Sequence, residues 1–319
     1  MSDRLPEIFS IIFPVVTIIG IAYLSKRKQL VNQELVNGLK TLVMSVTLPA
    51  LMFNTLRGAK FDGGSIIIIV IMYVCHIIGL LLGKLIVRVF GIEERSLLPY
   101  LTSTCETGMM GYGLYNMLFA QEYLYNLAIV DIGPILFVFS IYVISLNTRK
   151  GISARESLKN YVKSPIIIAI TLGILFSITG LGKMLSASGT GPVVTSILTY
   201  VGAPTGMLVM FVVGYGLEFS RQSLRDAFFA AFCRMLIMGG LCAGSIFLVG
   251  LFIPVGYYMF YAIVLIFTLP AAFILPMYAV DEKDGVYIST SLSLYTLVSI
   301  AAFAVVAVTV FANGNYPGV

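Results

Sequence analysis

Apolar residues are gathered into ten runs of about twenty residues, the length an α-helix needs to cross the hydrocarbon core of a bilayer. Proline, glycine and charged residues punctuate them. The runs are Ile8–Leu24, Leu35–Leu56, Ser65–Val89, Leu97–Phe119 and Tyr123–Leu146, followed by Pro165–Gly180, Val193–Leu217, Ala227–Ile253, Tyr257–Val280 and Val286–Phe311. A basic connection, Asn147–Lys163, separates the fifth run from the sixth, and a short polar tail, Asn313–Val319, ends the chain. The pattern predicts an all-α membrane protein with ten transmembrane helices.

Two of the runs make poor lipid-facing helices. Run four contains Ser103-Thr104-Cys105-Glu106-Thr107-Gly108-Met109-Met110-Gly111-Tyr112-Gly113, which combines three glycines, two threonines and a carboxylate. Such a stretch unwinds easily, and unwound backbone at membrane depth is tolerated only where protein or water covers it. Run nine contains Thr268-Leu269-Pro270-Ala271-Ala272-Phe273-Ile274-Leu275-Pro276, and each proline removes a helical hydrogen bond. Runs four and nine hold the same place in two successive sets of five. Because five is odd, the second set enters the membrane from the opposite face, which is the mark of an inverted repeat. Thr47-Leu48-Pro49-Ala50-Leu51-Met52-Phe53 in run two and Gly202-Ala203-Pro204-Thr205-Gly206-Met207-Leu208 in run seven form a weaker echo. The chain therefore divides into a first five-helix repeat (1–147), a cytoplasmic linker (148–163) and a second repeat (164–319). Mated interruptions point to a transport site near the midplane. Glu106, Thr107, Gly108, Gly111, Pro270 and Ala271 are its expected substrate-binding residues, with Pro49, Gly113, Pro204 and Pro276 as hinge or scaffold positions.

Composition supports the membrane reading: 59% of residues are hydrophobic and only 11% charged, against about a quarter charged in soluble domains. The net charge of +5 has a membrane explanation, and no nucleic-acid partner is expected. Lysine and arginine fall sixteen to four between the two sides, with only Arg4, Arg57, Lys60 and Lys183 on the poorer one. Basic residues mark the cytoplasmic side, so both termini are expected outside the cell membrane. There is no tryptophan, and Tyr23, Tyr123, Tyr200 and Tyr257 near run ends take over interfacial anchoring. Asp3, Arg4 and Glu7 precede the first run in place of a basic leader, so no cleavable signal is expected. Cys75, Cys105, Cys233 and Cys242 lie in apolar runs without a CxxC pair and read as small buried hydrophobes.

Few ionisable groups lie deep in the runs. Glu106 and Asp131 are too deep to reach the interface, and a buried carboxylate pairs, binds a cation or takes up a proton. Glu106 is the expected coupling residue, exchanging a proton or holding sodium, with Asp131, Ser289 and Ser293 completing the set. The hydroxyls that enter run ten either ligate an ion or pack and bond to backbone, and both readings stay open. Arg234 and Glu218 sit near run ends and are expected to snorkel to the interface. The single histidine, His76, is expected to make an interhelical hydrogen bond. No phosphate loop, metal spacing or cofactor motif is present, and neither a serine–histidine pair nor a second deep aspartate supports catalysis, so an enzyme is not expected. No cofactor or metal is expected beyond a coupling ion. The residues leave an anion carrier, a cation or amine carrier or channel built on Glu106 and Asp131, and a transporter-like sensor as open readings. Mated breaks favour alternating access.

Ten runs, Leu48-Pro49-Ala50-Leu51-Met52-Phe53, the Thr107-Gly108-x-x-Gly111 break, Asp131, and Leu269-Pro270 followed by a serine-rich run ten together resemble the auxin efflux carrier family. That family includes plant auxin carriers and bacterial permeases for malate, malonate and similar acids. The resemblance implies a fold similar to bile acid symporters and sodium/proton antiporters, with runs four and nine crossing at the membrane centre. It further implies a moving domain of runs three, four, five, eight, nine and ten. Runs one, two, six and seven would form a scaffold through which a homodimer assembles, and the substrate would be a small organic anion. Glu106 stands where the family usually has asparagine, and Gly113 where it has proline. A glutamate there repels a carboxylate unless it is protonated or neutralised by a cation.

Overall fold

The computed structural model describes residues 5–59, 61–91, 97–149 and 163–312, and these are helical with no strand among them. Arg4, Lys60, Arg95, most of the basic connection and the polar tail lie outside the described residues. The helices are α1 (Leu5–Arg27), α2 (Gln33–Leu56), α3 (Gly63–Val89), α4 (Leu98–Leu101), α5 (Tyr112–Leu118) and α6 (Gln121–Arg149). They continue with α7 (Pro165–Ile178), α8 (Leu181–Ala187), α9 (Gly191–Tyr215), α10 (Leu224–Phe252), α11 (Tyr257–Thr268) and α12 (Glu282–Ala312). Six of them (α2, α3, α6, α9, α10 and α12) are long and apolar enough to cross a membrane, and the bent pair α7–α8 makes a seventh if taken as one span.

Local chemistry explains the boundaries. Asn32 caps α2 by accepting the Leu35 N–H at 2.9 Å. Asp62 and Ser65 form a reciprocal capping box at the start of α3, and the Ser65 N–H holds the Asp62 carboxyl below its ordinary pKa. Pro49 follows a wide turn at Val43–Thr47, so α2 loses a hydrogen bond without breaking. Pro204 opens the second half of α9, which likewise continues as one span. Helix α8 lies in the stretch between the sixth and seventh apolar runs. Gly180 adopts φ +76°, a left-handed conformation that lets α8 turn 81° away from α7.

The helices pack in two groups. Helices α1, α2, α7, α8 and α9 contact one another, and α3, α4, α5, α6, α10, α11 and α12 contact one another, with seams between them at α1–α12, α2–α6 and α5–α9. Each group takes members from both halves of the chain. Phe228, Phe232, Leu236, Phe247 and Leu251 of α10 point outward, as do Ile66, Val70, Val74, Leu81 and Leu85 of α3. Continuous apolar faces of this kind fit contact with lipid.

The α3–α6 contact is close because Gly133 has no side chain. A Cβ there would lie 2.5 Å from the Ile69 carbonyl oxygen and 2.8 Å from Met72 Cβ. Gly133→Val is therefore expected to cost roughly 1–3 kcal/mol through overpacking. A lower unfolding temperature in detergent would show it. Gly244→Ala on α10, where an added Cβ meets nothing within 4 Å, should leave that temperature unchanged.

Candidate functional site

Helix α4 stops after one turn. Thr102 folds its hydroxyl back onto the carbonyls of Leu98 and Pro99, at 3.0 and 3.2 Å, and the next four residues leave the helix. Helical structure resumes as a wide turn, Thr107–Gly111, that leads into α5. Helix α11 stops at Thr268 because Leu269 must be extended before a proline, and it is, at φ −67° and ψ 156°. A short tight turn at Leu275–Tyr278 then leads towards α12.

The two breaks bind to each other. The Glu106 N–H donates to the Pro270 carbonyl at 2.8 Å, and the Ala272 N–H donates to Thr104 Oγ1 at 3.1 Å. The Phe273 N–H donates to Glu106 Oε2 at 2.5 Å. Backbone groups that lipid could not satisfy are thus satisfied by the opposite break. Arg234 completes the arrangement. Its guanidinium donates to the carbonyls of Leu101, Thr104 and Leu269, each at 2.7 Å, and lies 5.3 Å from the Tyr295 ring centre. One cation therefore sits against the carbonyl ends of both half-helices, where the helix dipoles favour positive charge. Arg234 is buried and does not reach the interface as the sequence suggested; ten residues into α10 it is about 15 Å from the helix start.

Most of the expected site residues meet here. Glu106, Thr107, Gly108 and Asp131 line a cavity of about 100 Å³, together with Leu48 of α2 and Ile166 of α7. The backbone N–H groups of Thr107 and Gly108, at the start of the resumed helix, donate to no acceptor among the described residues. Pro270 and Ala271 are buried in the crossing, and Gly111 packs against Leu269. Asp131 Oδ2, Thr107 Oγ1 and Tyr112 OH are all buried without a hydrogen-bond partner. Both hydroxyls face the Asp131 carboxylate without closing a bond of ordinary geometry. Gly113 touches Gly206 at the α5–α9 seam, where a Cβ would come 3.2 Å from the Gly206 Cα.

Ser289 and Ser293 are placed elsewhere. Together with Pro276 they line a separate cavity of about 260 Å³ between α2, α9 and α12. Ser293 is committed to structure there, donating to the Ser289 carbonyl at 2.7 Å and accepting the Glu218 N–H at 2.8 Å. His76 is satisfied mainly within its own helix, where Nδ1–H donates to the Met72 carbonyl at 2.8 Å; across helices only Nε2 has a contact, 3.5 Å from Cys105 Sγ. Glu218 pairs with Lys26 at 2.7 Å near the surface.

A family model described as membrane transport protein matches residues 7–310. The chain belongs to that family. It is the family of the auxin efflux carriers, so the resemblance carried by the short motifs holds over nearly the whole chain. An uncharacterised transporter of Methanothermobacter thermautotrophicus is 25% identical over 303 residues, covering 90% of this chain and 95% of that protein. The protein is a multi-pass membrane transporter and not an enzyme.

For a member of the membrane transport family, two residues at the crossing were missed by sequence reading. Arg234 was assigned to the interface, and Thr104 was read only as part of a polar break. One signal was available for the arginine: a single cation inside an otherwise uncharged run has two carboxylates in the same membrane layer to explain it. Thr104 carried no such signal, because its hydroxyl is fixed by Ala272 from the other half of the chain.

Proposed function

We propose that this transporter carries a small organic anion through the crossing of the two breaks. The observation that carries the reading is the pair of unsatisfied N–H groups, Thr107 and Gly108, at a helix start on the wall of the 100 Å³ cavity. Such N–H groups, with the positive end of the helix dipole behind them, suit a carboxylate. Arg234 neutralises the opposite, carbonyl ends, so the site needs no further base. The substrate moves as the α3–α6 and α10–α12 group rocks or slides against the scaffold of α1, α2 and α7–α9, with Gly113 and Gly206 at the seam. The ten runs form two inverted five-helix repeats in the plasma membrane with both termini outside. Charge supports this orientation, since the asymmetry survives removal of Arg234 and Arg57, both drawn into the protein. The scaffold also offers Val193, Ile197 and Tyr200 of α9 as an outward apolar face for a second copy.

In this reading coupling rests on Asp131 rather than on Glu106, with a proton or sodium as the coupling ion. Asp131 has unpartnered oxygens around it and takes the ion. Glu106 is tied to the Phe273 N–H and acts as a latch between the breaks. The test is flux in proteoliposomes across a panel of carboxylates and alkylammonium ions. Carboxylates are expected to move; flux of the amines alone would favour the cation reading, and binding without flux would favour a sensor. Glu106→Gln keeps an oxygen for the Phe273 N–H, so it should fold. It is expected to weaken carboxylate release and slow turnover by roughly tenfold, about 1.4 kcal/mol, while uptake keeps its pH or sodium dependence. Loss of that dependence in the variant would move the coupling role to Glu106.

A further inference from the structure

The geometry points to a second anion-binding site, centred on Lys40, in the 260 Å³ cavity between α2, α9 and α12, where a carboxylate docks before or after its passage through the crossing. The inference rests on the anion reading above and adds a site to it. Lys40 is half-buried, and its ammonium has neither an ion-pair nor a hydrogen-bond partner among the described residues. A cation in such a position lacks the carboxylate that ordinarily accompanies it. The other charged group on the wall, Glu218, is already neutralised by Lys26 at 2.7 Å, so the cavity keeps a net positive charge. Its remaining polar wall suits a carboxylate. Asn37 and Gln33, hydrogen-bonded to each other at 3.1 Å, stand one and two turns before Lys40 on α2, and the Ser289 hydroxyl lines the same cavity from α12 with no hydrogen-bond partner among the described residues.

Position ties this cavity to the crossing. Phe273, whose N–H donates to Glu106, forms part of its wall, and Pro276 of the same break lies beside it. The walls come from both packing groups: α2 and α9 from the scaffold, and α12 with the second break from the other. A bound anion would therefore bridge the parts that must move past each other. Lysine suits a docking site of this kind, because a single flexible, hydrated charge holds a carboxylate without the tight bidentate grip of arginine.

Labelling at Ser289 tests the site in detergent-purified protein. Ser289→Cys is made in a Cys242→Ala background, the other three cysteines being buried. Its modification by anionic and cationic thiosulfonates of similar size is then timed with Lys40 or Lys40→Gln. The Lys40→Gln variant is expected to lower the anionic-to-cationic rate ratio roughly threefold or more, the effect of one nearby unit charge in a wet cavity. Malonate, used as the probe, is expected to protect Ser289→Cys in the Lys40 parent and to need at least about tenfold higher concentration in Lys40→Gln, with Lys40→Arg restoring much of the protection. Equal ratios and equal protection in the two backgrounds would overturn the site. So would a parent left unprotected by malonate, malate or acetate at about 10 mM. Should the cysteine variant fold poorly, the malonate-induced rise in melting temperature is compared between native protein and Lys40→Gln alone. Flux separates the two ideas: carboxylate flux without protection removes the docking site and keeps the transport reading, whereas protection without flux of any carboxylate does the reverse.

Discussion

Arg234→Leu is expected to remove most of the folded transporter from a detergent extract. The guanidinium satisfies three backbone carbonyls, Leu101, Thr104 and Leu269, and no water or lipid group replaces it in the buried crossing. Each carbonyl left without a donor costs about 1–3 kcal/mol, and the loss as a whole is on the order of 3–5 kcal/mol. That is a large share of the roughly 5–15 kcal/mol by which folded proteins are stable. Two half-helix ends lose their common cation in the same step, so the damage falls on the contact that holds break to break. Arg234→Lys keeps the charge but places it at one point, and an ammonium cannot span three carbonyls on two segments as the planar fork does. The lysine variant is expected to fold with an intermediate melting temperature. Size-exclusion profiles after graded heating give the measurement. A leucine variant that melts within about 2 °C of the parent would remove Arg234 from its structural role.

The distribution of this information along the chain explains what could be read before the structure. The apolar runs and the two breaks are local patterns of hydropathy, glycine and proline, and each was legible from its own neighbourhood. Glu106 and Asp131 were legible because a carboxylate in an apolar run is costly wherever it ends up. What these groups touch was not legible. That Glu106 reaches Phe273, and that Thr104 reaches Ala272, depends on contacts between segments more than 160 residues apart. Ser289 and Ser293 illustrate the same limit from the other direction. They begin the helix that follows the second break, which suggested an ion site shared with Glu106, yet α12 turns them towards α2 and α9. Arg234 was misplaced because its distance from the start of its run was compared with the reach of a long side chain. Helix α10 begins three residues earlier than the apolar run, which sets the guanidinium a further turn inside. The turn into α8 needed the positive φ of Gly180, and a glycine followed by Leu-Gly-Lys carries no obligatory signal for it.

The largest effect on transport itself is expected from Asp131→Asn. Asp131 is 2% exposed, and its Oδ2, the Thr107 hydroxyl and the Tyr112 hydroxyl converge without forming a closed hydrogen-bonded set. Three oxygens, one of them on a carboxylate, meet at the wall of the 100 Å³ cavity, which Asp131 and Thr107 both line. An ion held there offsets the cost of the buried carboxylate and, when it leaves, places a bare negative charge beside the substrate. This would link ion release to anion release with no long-range relay. Asparagine has nearly the same shape and can still bond both hydroxyls, so the variant should fold and bind substrate. It cannot lose a proton or neutralise a cation, and its uptake in proteoliposomes is expected to become independent of pH and sodium and to fall at least about tenfold under a gradient. Tyr112→Phe removes one oxygen and keeps the carboxylate, and should weaken the ion dependence by a factor of about 2–10, the worth of one hydrogen bond. Exchange of labelled substrate at equal concentrations on both sides discriminates further, because it needs the moving domain but no net ion flow. Asp131→Asn is expected to keep that exchange while losing gradient-driven uptake. A variant that retains the parent's pH and sodium profile would show that coupling lies elsewhere, and one that loses exchange and uptake together would make Asp131 part of the substrate site.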